Sequence, residues 1–255
     1  MKLTQENYYT TEANAEYMSV SQFKAFLDCE ASGLAQCRGE WERPKSKAFL
    51  EGGYVDAHFS GSMDRFLMEH NEILNSRTGA LKSDFVKARA AIEAAEHDEF
   101  FREHLEGAHQ VIVTGTLFGI KWRGKLDVLR DDMIVDFKYM KDMLPIFHKG
   151  ERKPFIDVYG YDIQGYVYQQ LTEQTFGKHL PFNLAVMTKE DPSDRALINI
   201  PDDRLNAAEG VVKYYSQRFD ALKRGEDDPV RCEHCAYCRE TKKTTGFMSY
   251  YDFFE

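Results

Sequence analysis

The stretch GKLDVLRDDMIVDFKY, residues 124–139, decides the fold of this chain. Two runs rich in β-branched and aromatic residues flank the polar group 130–132, which is typical of two strands joined by a tight turn. Side chains two apart share one face of a strand, so Asp136 and Lys138 are predicted to project together. The turn can set Asp127 beside Asp136 on the neighbouring strand. Two carboxylates and one ammonium group are therefore expected to converge.

Such a group of side chains has a clear chemical use. Two carboxylates, helped by the main-chain carbonyl of Phe137, can hold one or two Mg²⁺ or Mn²⁺ ions that activate water and stabilise charge on a phosphate. Lys138 could then orient or deprotonate the attacking water, or offset charge that develops on the phosphate. The alternative is that Asp136 and Lys138 are ordinary polar positions on a solvated sheet face, because an isolated D-x-K triplet is common. The motifs around the triplet decide between these interpretations.

The N-terminal third of the chain is predicted to be helical. Residues 19–36 place apolar side chains at roughly helical spacing, with Ser19 or Ser21 available as N-cap. Residues 48–70 predict a second helix despite two adjacent glycines, and residues 81–105 predict one or two more. The strands are therefore expected after this part.

The rest of the chain predicts a small sheet with helices around it. From residue 109 the pattern predicts three strands, and a helix follows over 155–176. NLAVMTK and ALINIP predict two further short strands, and residues 203–224 a last amphipathic helix. The order β-β-β-α-β-β predicts an α/β fold with a short, mixed, mostly antiparallel sheet flanked by helices. We expect one domain over 1–255, divided into a helical part 19–105, a catalytic core 109–224 and a cysteine-bearing tail 229–255.

Three motifs follow one another in this order: GKLD (124–127), DFK (136–138) and QGYVY (164–168). Together they resemble the RecB-type branch of the PD-(D/E)xK nucleases, whose pattern is G-x-x-D, (D/E)-x-K and Q-x-x-x-Y, and in particular the phage and prophage proteins grouped with RecE, the exodeoxyribonuclease VIII-like group. The resemblance covers most of the chain and implies a restriction-endonuclease-like core. It also implies a Mg²⁺- or Mn²⁺-dependent exonuclease that processes double-stranded DNA ends in recombination, with a single-strand annealing protein as partner.

The third motif lies on the helix predicted over 155–176. Gln164 and Tyr168 are four residues apart and share a helix face with Tyr161. The resemblance implies that this face lies by the active site, with Gln164 and Tyr168 contacting DNA or supporting the metal site. The alternative is an amphipathic helix that packs its aromatic side chains into the core.

The resemblance also implies a metal-binding histidine on the early helix, in a G-x-x-x-H setting, and here the sequence departs from the pattern. Counted from Gly52, the histidine position holds Asp56, and His58 follows two residues later. Residues two apart on a helix project about 200° apart, so both are not expected to bind one ion. Asp56 offers the harder oxygen ligand and is the first choice, with His58 as the second.

The tail carries three cysteines in CEHCAYC, residues 232–238, at a spacing that lets three thiolates reach one cluster from a tight loop. The resemblance supplies a fourth ligand, because several RecB-type nucleases bind a [4Fe-4S] cluster with one cysteine ahead of the core and three behind it. The alternatives are Zn²⁺ on the same thiolates, joined by His234, or plain reduced thiols. The predicted ligand set is Cys29, Cys232, Cys235 and Cys238.

The formal net charge of −9 excludes binding of nucleic acid by bulk attraction, since phosphate binding needs clustered Lys and Arg. DNA contacts must be local, and basic residues gather at 148–153 and 239–243, although both segments could be ordinary solvated loops. Phe147, Phe155 and Tyr237 nearby could stack on single-stranded bases. The N-terminus has no apolar export segment and no stretch is long enough to span a membrane, so a cytosolic protein without a membrane partner is expected.

Two other functions remain open at this point. A catalytically silent module that binds nucleic acid or a partner could keep the same fold, although the joint presence of Asp127, Asp136 and Lys138 argues against it. A protein whose function lies in its cysteine-bound metal is the second alternative. Iron and sulfide analysis, combined with an Asp136→Ala variant, would distinguish it from a nuclease.

Overall fold

The hairpin quoted above lies in the middle of a six-stranded sheet in the computed structural model, which describes residues 1–44, 46–247 and 249–253. Two further strands form a separate hairpin. In chain order, the strands of the described residues are β1 (Met18–Ser19), β2 (Ala108–Leu117), β3 (Ile120–Leu129), β4 (Ile134–Met140), β5 (Ile146–His148), β6 (Glu151–Lys153), β7 (Phe182–Thr188) and β8 (Arg195–Ile200).

The sheet is mixed, with the strand order β1-β3-β4-β7-β8 and with β2 paired to β3. The pairs β2–β3, β3–β4 and β7–β8 are antiparallel, whereas β1–β3 and β4–β7 are parallel. The predicted short, mostly antiparallel sheet is therefore confirmed.

Helices cover both faces of this sheet. Across the described ranges, none of them is long and apolar enough to cross a membrane. Short 3₁₀ helices occur at Asn71–Ile73 and Tyr250–Phe253. The α-helices in chain order are α1 (Thr11–Glu16), α2 (Val20–Asp28), α3 (Glu30–Cys37), α4 (Lys47–Phe59), α5 (Met63–Glu69), α6 (Ser83–His97), α7 (Glu99–His104), α8 (Phe155–Val158), α9 (Tyr161–Phe176), α10 (Asp202–Asn206), α11 (Glu209–Arg224) and α12 (Ala236–Glu240).

Two hydrophobic cores lie on opposite faces of the sheet. On β4, Ile134 joins the core formed with α2, α9 and α11, whereas Val135 and Phe137 join the core formed with α4 and α6. This alternation follows from the two-residue period of a strand. It leaves Asp136 and Lys138 on the face of β4 that α9 covers.

Several segments predicted as single helices are interrupted. The segment 19–36 is divided at Cys29, whose extended backbone ends α2 and precedes α3. Ser19 is the N-cap of α2, in a capping box with Gln22. The apolar spacing continues across such a break because both pieces pack on the same core, so the pattern alone does not reveal it. The segments 48–70, 155–176 and 203–224 are likewise divided, at residues 60–62, 159–160 and 207–208.

Among the described residues, the elements that were not predicted include α1, β1, α12, the β5–β6 hairpin and the two short 3₁₀ helices. Each helix or strand among them spans two to six residues, too few for a periodic apolar pattern. β1, for example, is defined by pairing of Met18 with Trp122 and of Ser19 with Arg123 on β3. Such elements form through tertiary contacts and not through local propensity.

Gly165 allows α9 to lie close against the sheet. A Cβ atom at this position would lie 2.5 Å from Cδ1 of Phe182 and 2.6 Å from Cδ2 of Leu205. Replacement of Gly165 by alanine is therefore expected to lower the free energy of unfolding by about 1–3 kcal/mol, the usual cost of overpacking a core. Urea-induced unfolding measures this change.

A matched control is Gly52→Ala, in the interior of α4. Apart from its chain neighbours and the backbone of α4 itself, no heavy atom of the described residues lies within 4 Å of a Cβ built there. Alanine is expected to raise the free energy of unfolding by about 0.5–1 kcal/mol at this position, because glycine is a poor helix former. Equal effects of the two substitutions would contradict the close packing described for Gly165.

Candidate active site

Asp136 and Lys138 lie side by side on β4. Asp136 is 2 % exposed, and the ammonium group of Lys138 donates a hydrogen bond to its Oδ2. Nε2 of Gln164, from α9, donates to Oδ1 of Asp136 over 2.7 Å. Both oxygens of this buried carboxylate therefore have polar partners, as a buried charge requires.

Asp127 lies where β3 and β4 stop pairing. The antiparallel ladder runs through Leu129 and Val128 of β3. At the next position, Oδ2 of Asp127 accepts a hydrogen bond from the main-chain nitrogen of Phe137 over 2.9 Å. The side chain thus takes the place of a strand-to-strand bond, and the strands separate at the acidic residues.

A third carboxylate, that of Asp56, comes from α4. Nε2 of Gln110 on β2 donates to Oδ1 of Asp56 over 3.0 Å and to Oδ1 of Asp127 over 3.4 Å. His58 has a different surrounding, since its Nε2 lies 2.7 Å from Oε1 of Glu96 on α6. The structure therefore brings Asp56 to Asp127 and leaves His58 outside the group.

The acidic centre, which we define as Asp56, Asp127 and Asp136, carries an excess of buried negative charge. Burial raises the pKa of Asp127 well above its usual range, and the charge of Asp136 raises it further. Burial also raises the pKa of Asp56. Burial alone would lower the pKa of Lys138, but the carboxylates of Asp136 and Asp127 raise it above its usual range. The two carboxylates of Asp127 and Asp136 thus keep Lys138 protonated, whereas Lys125 is the lysine that lowers the pKa of Asp56 most.

The chemistry of these donor atoms suits a hard divalent cation. Carboxylate oxygens are the ligands that Mg²⁺ and Mn²⁺ prefer. The charge of such an ion would also offset the mutual repulsion that raises the pKa of Asp127. The acidic centre is thus chemically suited to the ion that the sequence predicts.

Two lysine side chains lie over the ring of Tyr161, the first residue of α9. Nζ of Lys138 is 4.9 Å and Nζ of Lys24 is 5.2 Å from the ring centroid. Burial, and then the positive charge of Lys138, lower the pKa of Lys24 to about 8. The face of the ring attracts both cations and so helps to hold them together in a buried place.

Tyr168 packs against the glycine of the first motif. A Cβ atom at Gly124 would lie 3.0 Å from Cε1 of Tyr168, so a larger residue would displace the ring. The ring also contacts Phe182, with centroids 6.2 Å apart. Through these contacts, Tyr168 supports the strand that carries Asp127.

A cavity of about 160 Å³ opens beside Lys24. Arg123, which is 2 % exposed, also lines it. The guanidinium group of Arg123 donates to the carbonyl oxygen of Tyr8 and to Oδ1 of Asn14, whereas its Nε has no hydrogen-bond partner among the described atoms. Two cationic side chains next to the acidic centre make this cavity suited to an anion. Its lining consists of Tyr8, Ser19, Val20, Ser21, Lys24, Arg123, Gln164 and Tyr168.

Three polar residues of this region were not predicted from the sequence: Lys24, Gln110 and Arg123. Lys24 occupies an ordinary polar position of an amphipathic helix, and Gln110 precedes an apolar run without any motif. Arg123 belongs to an alternating row of charged residues on β3, with Lys121, Lys125 and Asp127, so the sequence does not single it out as a buried residue.

The four predicted cysteines meet in the structure. Their Sγ atoms all lie within 4.8 Å of one another, and His234 does not belong to the group. Sγ of Cys29 lies 3.6 Å from Sγ of Cys238, although 209 residues separate them along the chain. The group thus joins the α2–α3 junction to the C-terminal segment. Its members are Cys29, Cys232, Cys235 and Cys238.

Main-chain N–H groups surround the sulfur atoms. The nitrogens of His234 and Cys235 donate to Sγ of Cys232 over 3.5 and 3.3 Å, and they lower the pKa of Cys232 to about 6. A thiol that ionises near neutral pH is prepared for metal binding, because the thiolate is the ligand.

The spacing of the sulfur atoms is compact. Four thiolates at about 2.3 Å from one tetrahedral ion lie about 3.8 Å apart. Sγ of Cys238 lies 3.6 Å from that of Cys29 and 4.0 Å from that of Cys232. In a [4Fe-4S] cluster each thiolate binds a different iron, which spreads the sulfur atoms more widely. The described spacing therefore fits a single ion better than a cluster.

The basic segment 148–153 forms most of the β5–β6 hairpin. Phe147, which is 72 % exposed, pairs directly with Arg152 across this hairpin. An aromatic ring and a cation are thus presented together to solvent. Phe155 is buried in the core, so the prediction that it could stack on bases is wrong.

The second basic segment, 239–243, extends from α12 into solvent. The ring of Tyr237 lies 5.6 Å from that of Trp41 and 5.8 Å from the guanidinium group of Arg231. Tyr237 therefore has protein partners on its ring, and Phe147 is the aromatic side chain best placed to meet a base.

Comparison with known proteins bears on the fold and the family of the chain. A family model described as a PDDEXK-like domain of unknown function (DUF3799) matches residues 19–241. The crystal structure of a protein from Eubacterium rectale that is named "Putative exonuclease" superposes with a TM-score of 0.96. The two sequences are 40% identical over 99% of this chain and 98% of that one. None of the curated proteins matches the sequence.

Proposed function

The chain belongs to the family of PDDEXK-like domains of unknown function (DUF3799), and on this premise we propose that it is a metal-dependent DNA nuclease that acts as an exonuclease on double-stranded ends. The observation that carries the proposal is the convergence of three carboxylates and one ammonium group where β3 and β4 separate. The name of the Eubacterium rectale protein supports the exonuclease assignment. The residues concerned are Asp56, Asp127, Asp136 and Lys138.

The acidic centre is the part of the chain that would hold Mg²⁺ or Mn²⁺, an ion that polarises a phosphate and lowers the pKa of a bound water. Gln164 fixes one oxygen of Asp136, and the main-chain nitrogen of Phe137 fixes one oxygen of Asp127. These hydrogen bonds orient the carboxylates before substrate binds, which is a large part of how such a site lowers a barrier.

Lys138 is proposed to act as a charged donor. The carboxylates of Asp136 and Asp127 raise its pKa, so Nζ keeps its proton at neutral pH. It can then donate a hydrogen bond to the phosphate oxygens on which negative charge develops.

The cavity next to Lys24 is proposed to receive a DNA phosphate. Its two cations are Lys24, which is half-buried, and Arg123, which is buried. A charge-assisted hydrogen bond is strongest when the charged group is withdrawn from water.

The exposed pair Phe147 and Arg152 on the β5–β6 hairpin could contact the DNA strand outside this cavity, by stacking and by charge. The negative net charge is compatible with these local contacts.

Replacement of Lys24 by methionine tests the role of the cavity. Loss of one hydrogen bond to a charged group, about 1.5 kcal/mol or more, is expected to raise the KM for duplex DNA by roughly tenfold. The matched control is Lys87→Met, which removes the same charge from the exposed face of α6. Steady-state kinetics on an end-labelled duplex measures both. An equal KM for the two variants would contradict phosphate binding at Lys24.

The exonuclease proposal is tested with linear and covalently closed circular duplex DNA in Mg²⁺ and in Mn²⁺. An enzyme that needs an end is expected to release nucleotides from the linear DNA alone. Cleavage of both forms would assign the same site to an endonuclease. DNA binding without cleavage of either form would favour the catalytically silent module.

The four clustered cysteines are proposed to hold a metal centre that ties the C-terminal segment to the α2–α3 junction. The resemblance to RecB-type nucleases implies a [4Fe-4S] cluster, whereas the sulfur spacing favours a single ion such as Zn²⁺. In either case the centre has a structural role in a nuclease. A chain whose function lay in this metal alone would keep that function when Asp136 is replaced by alanine.

A role in DNA recombination, with a single-strand annealing protein as partner, is proposed on the resemblance alone. Co-purification of the chain with such a protein from cells that contain both tests it. Recovery of the chain without the annealing protein would contradict the partnership and would leave the nuclease proposal intact.

A further inference from the structure

Gln110 has an unusual backbone for its place in the sheet. It lies within β2, and the pairs on either side of it join His109 to Val128 and Val111 to Leu126, which places Gln110 opposite Asp127. Its φ angle is 53°, in the left-handed region that residues other than glycine rarely adopt.

The other described residues with such an angle lie in loops or turns. Phe118 lies between β2 and β3, Lys149 lies at the tip of the β5–β6 hairpin, and Glu233 lies between two clustered cysteines. Gln110 alone among the described non-glycine residues adopts this angle inside a strand. Strain of this kind persists where surrounding contacts hold it, and it is concentrated at functional sites.

The contacts that hold Gln110 lead to the acidic centre. Its side-chain Nε2 donates to Asp56 over 3.0 Å and to Asp127 over 3.4 Å. Its main-chain carbonyl oxygen accepts a hydrogen bond from Nε2 of Gln5 over 2.7 Å, so the N-terminal segment fixes its backbone. The strained conformation thus aims one amide group between two half-buried carboxylates.

Asp56 and Asp127 come from different elements, a helix and a strand. Among the described residues, Gln110 is the one that donates a hydrogen bond to both Asp56 and Asp127. The separation of these two carboxylates therefore depends on the length and the orientation of the Gln110 side chain. A cation site is sensitive to such contacts, because polar groups around the ligands orient them.

We propose that Gln110 is a positioning residue of the acidic centre, which sets the separation of Asp56 and Asp127 and thereby their affinity for a divalent cation. This inference rests on the proposed function, since it assumes that the acidic centre binds Mg²⁺ or Mn²⁺. It adds a residue that none of the three motifs contains. It also gives a reason for the strained backbone, which would otherwise only weaken the strand.

The test is calorimetric titration of Mn²⁺ into the full chain without DNA, for the wild type and for Gln110→Leu and Gln110→Glu. The leucine variant removes the amide, and its Kd for Mn²⁺ is expected to rise by about tenfold or more. The glutamate variant keeps the shape and adds a carboxylate. It is expected to lower the Tm of the metal-free protein through repulsion and to bind Mn²⁺ more tightly than the wild type.

Gln174→Leu is the matched control. Gln174 also binds β2, since its Oε1 accepts from the nitrogen of Thr116 over 2.8 Å and its Nε2 donates to the Thr116 oxygen over 3.2 Å, away from the acidic centre. Its loss is expected to leave the Kd for Mn²⁺ unchanged.

Three results would count against the inference. It would be overturned if Gln110→Leu bound Mn²⁺ with the Kd of the wild type. It would also be overturned if Mn²⁺ raised the Tm of Gln110→Glu by the same amount as the Tm of the wild type. If the leucine variant does not fold, the glutamate variant alone decides. A wild-type protein that binds no Mn²⁺ would instead overturn the proposed function, and the inference with it.

Discussion

Replacement of Asp136 by asparagine is expected to lower the rate of DNA hydrolysis by roughly a thousandfold or more. The variant keeps the shape of the side chain and removes a charge from the middle of the acidic centre. An ion bound there contributes several kcal/mol to stabilisation of the transition state, and about 4 kcal/mol corresponds to a thousandfold change in rate. Single-turnover hydrolysis of a linear duplex in Mg²⁺ measures the loss.

Asp132→Asn provides the matched control, because Asp132 lies in the β3–β4 turn and its side chain is largely exposed. Its ion pair with Arg130 is a surface contact, which contributes little to stability. This variant is expected to hydrolyse DNA at the wild-type rate. Similar rates for Asp136→Asn and Asp132→Asn would remove Asp136 from the catalytic site.

The second large effect is expected for Cys238→Ser. Sγ of Cys238 lies within hydrogen-bonding distance of two other clustered sulfurs, and the residue is 0 % exposed. Binding of a structural metal contributes about 10–16 kcal/mol in small zinc domains, so loss of a ligand is expected to cost several kcal/mol of folding free energy. The variant should lose its metal, and its C-terminal segment should become susceptible to proteolysis.

Metal and sulfide analysis of anaerobically purified protein accompanies this test. About four irons with four sulfides per chain would identify a [4Fe-4S] cluster, and one zinc would identify a single tetrahedral ion. Cys37→Ala is the control, since Cys37 is buried on α3 outside the group and donates to the carbonyl oxygen of Asn14 over 3.3 Å. Two results together would contradict a metal centre: wild-type protein that contains no metal, and a free energy of unfolding of the wild type equal to that of Cys238→Ser.

The arrangement of the main motifs could be predicted because it depends on short-range geometry. The two-residue period of β4 places Asp136 and Lys138 on one face, and the turn 130–132 brings the preceding strand beside them. Gln164 reaches Asp136 because the helix that follows β4 covers this face of the sheet. The register set by Val128 and Val135 places Asp127 opposite Asp136, and Oδ2 of Asp127 accepts a hydrogen bond from the main-chain nitrogen of Phe137.

Helix geometry predicted that only one of Asp56 and His58 binds the ion, and the preference for Asp56 came from its harder oxygen ligand. Two residues separated by about 200° around a helix cannot reach one site, and the structure directs Asp56 to Gln110 and His58 to Glu96. The sequence could show that only one of these two residues of α4 belongs to the metal site. Which of the two faces the sheet depends on how α4 packs.

The other parts of the site depend on contacts that local patterns do not contain. Lys24 reaches the cavity because α2 ends at Cys29 and packs beside α9. The spacing of the apolar residues predicts neither the end of this helix nor its packing. Gln110 is oriented by Gln5, more than a hundred residues earlier in the chain. The breaks at Cys29 and Gly160 likewise follow from tertiary packing. Such residues are found only when the chain is seen folded.

Hydrolysis of DNA with a divalent cation is the property on which the proposed function depends most directly. The measurement is release of nucleotides from a linear duplex by the purified wild-type protein in Mg²⁺, after addition of EDTA, and after Mg²⁺ is restored. We predict release in Mg²⁺, none in EDTA, and recovery when the ion returns. Absence of release under all three conditions, or release that EDTA does not change, would contradict a metal-dependent nuclease.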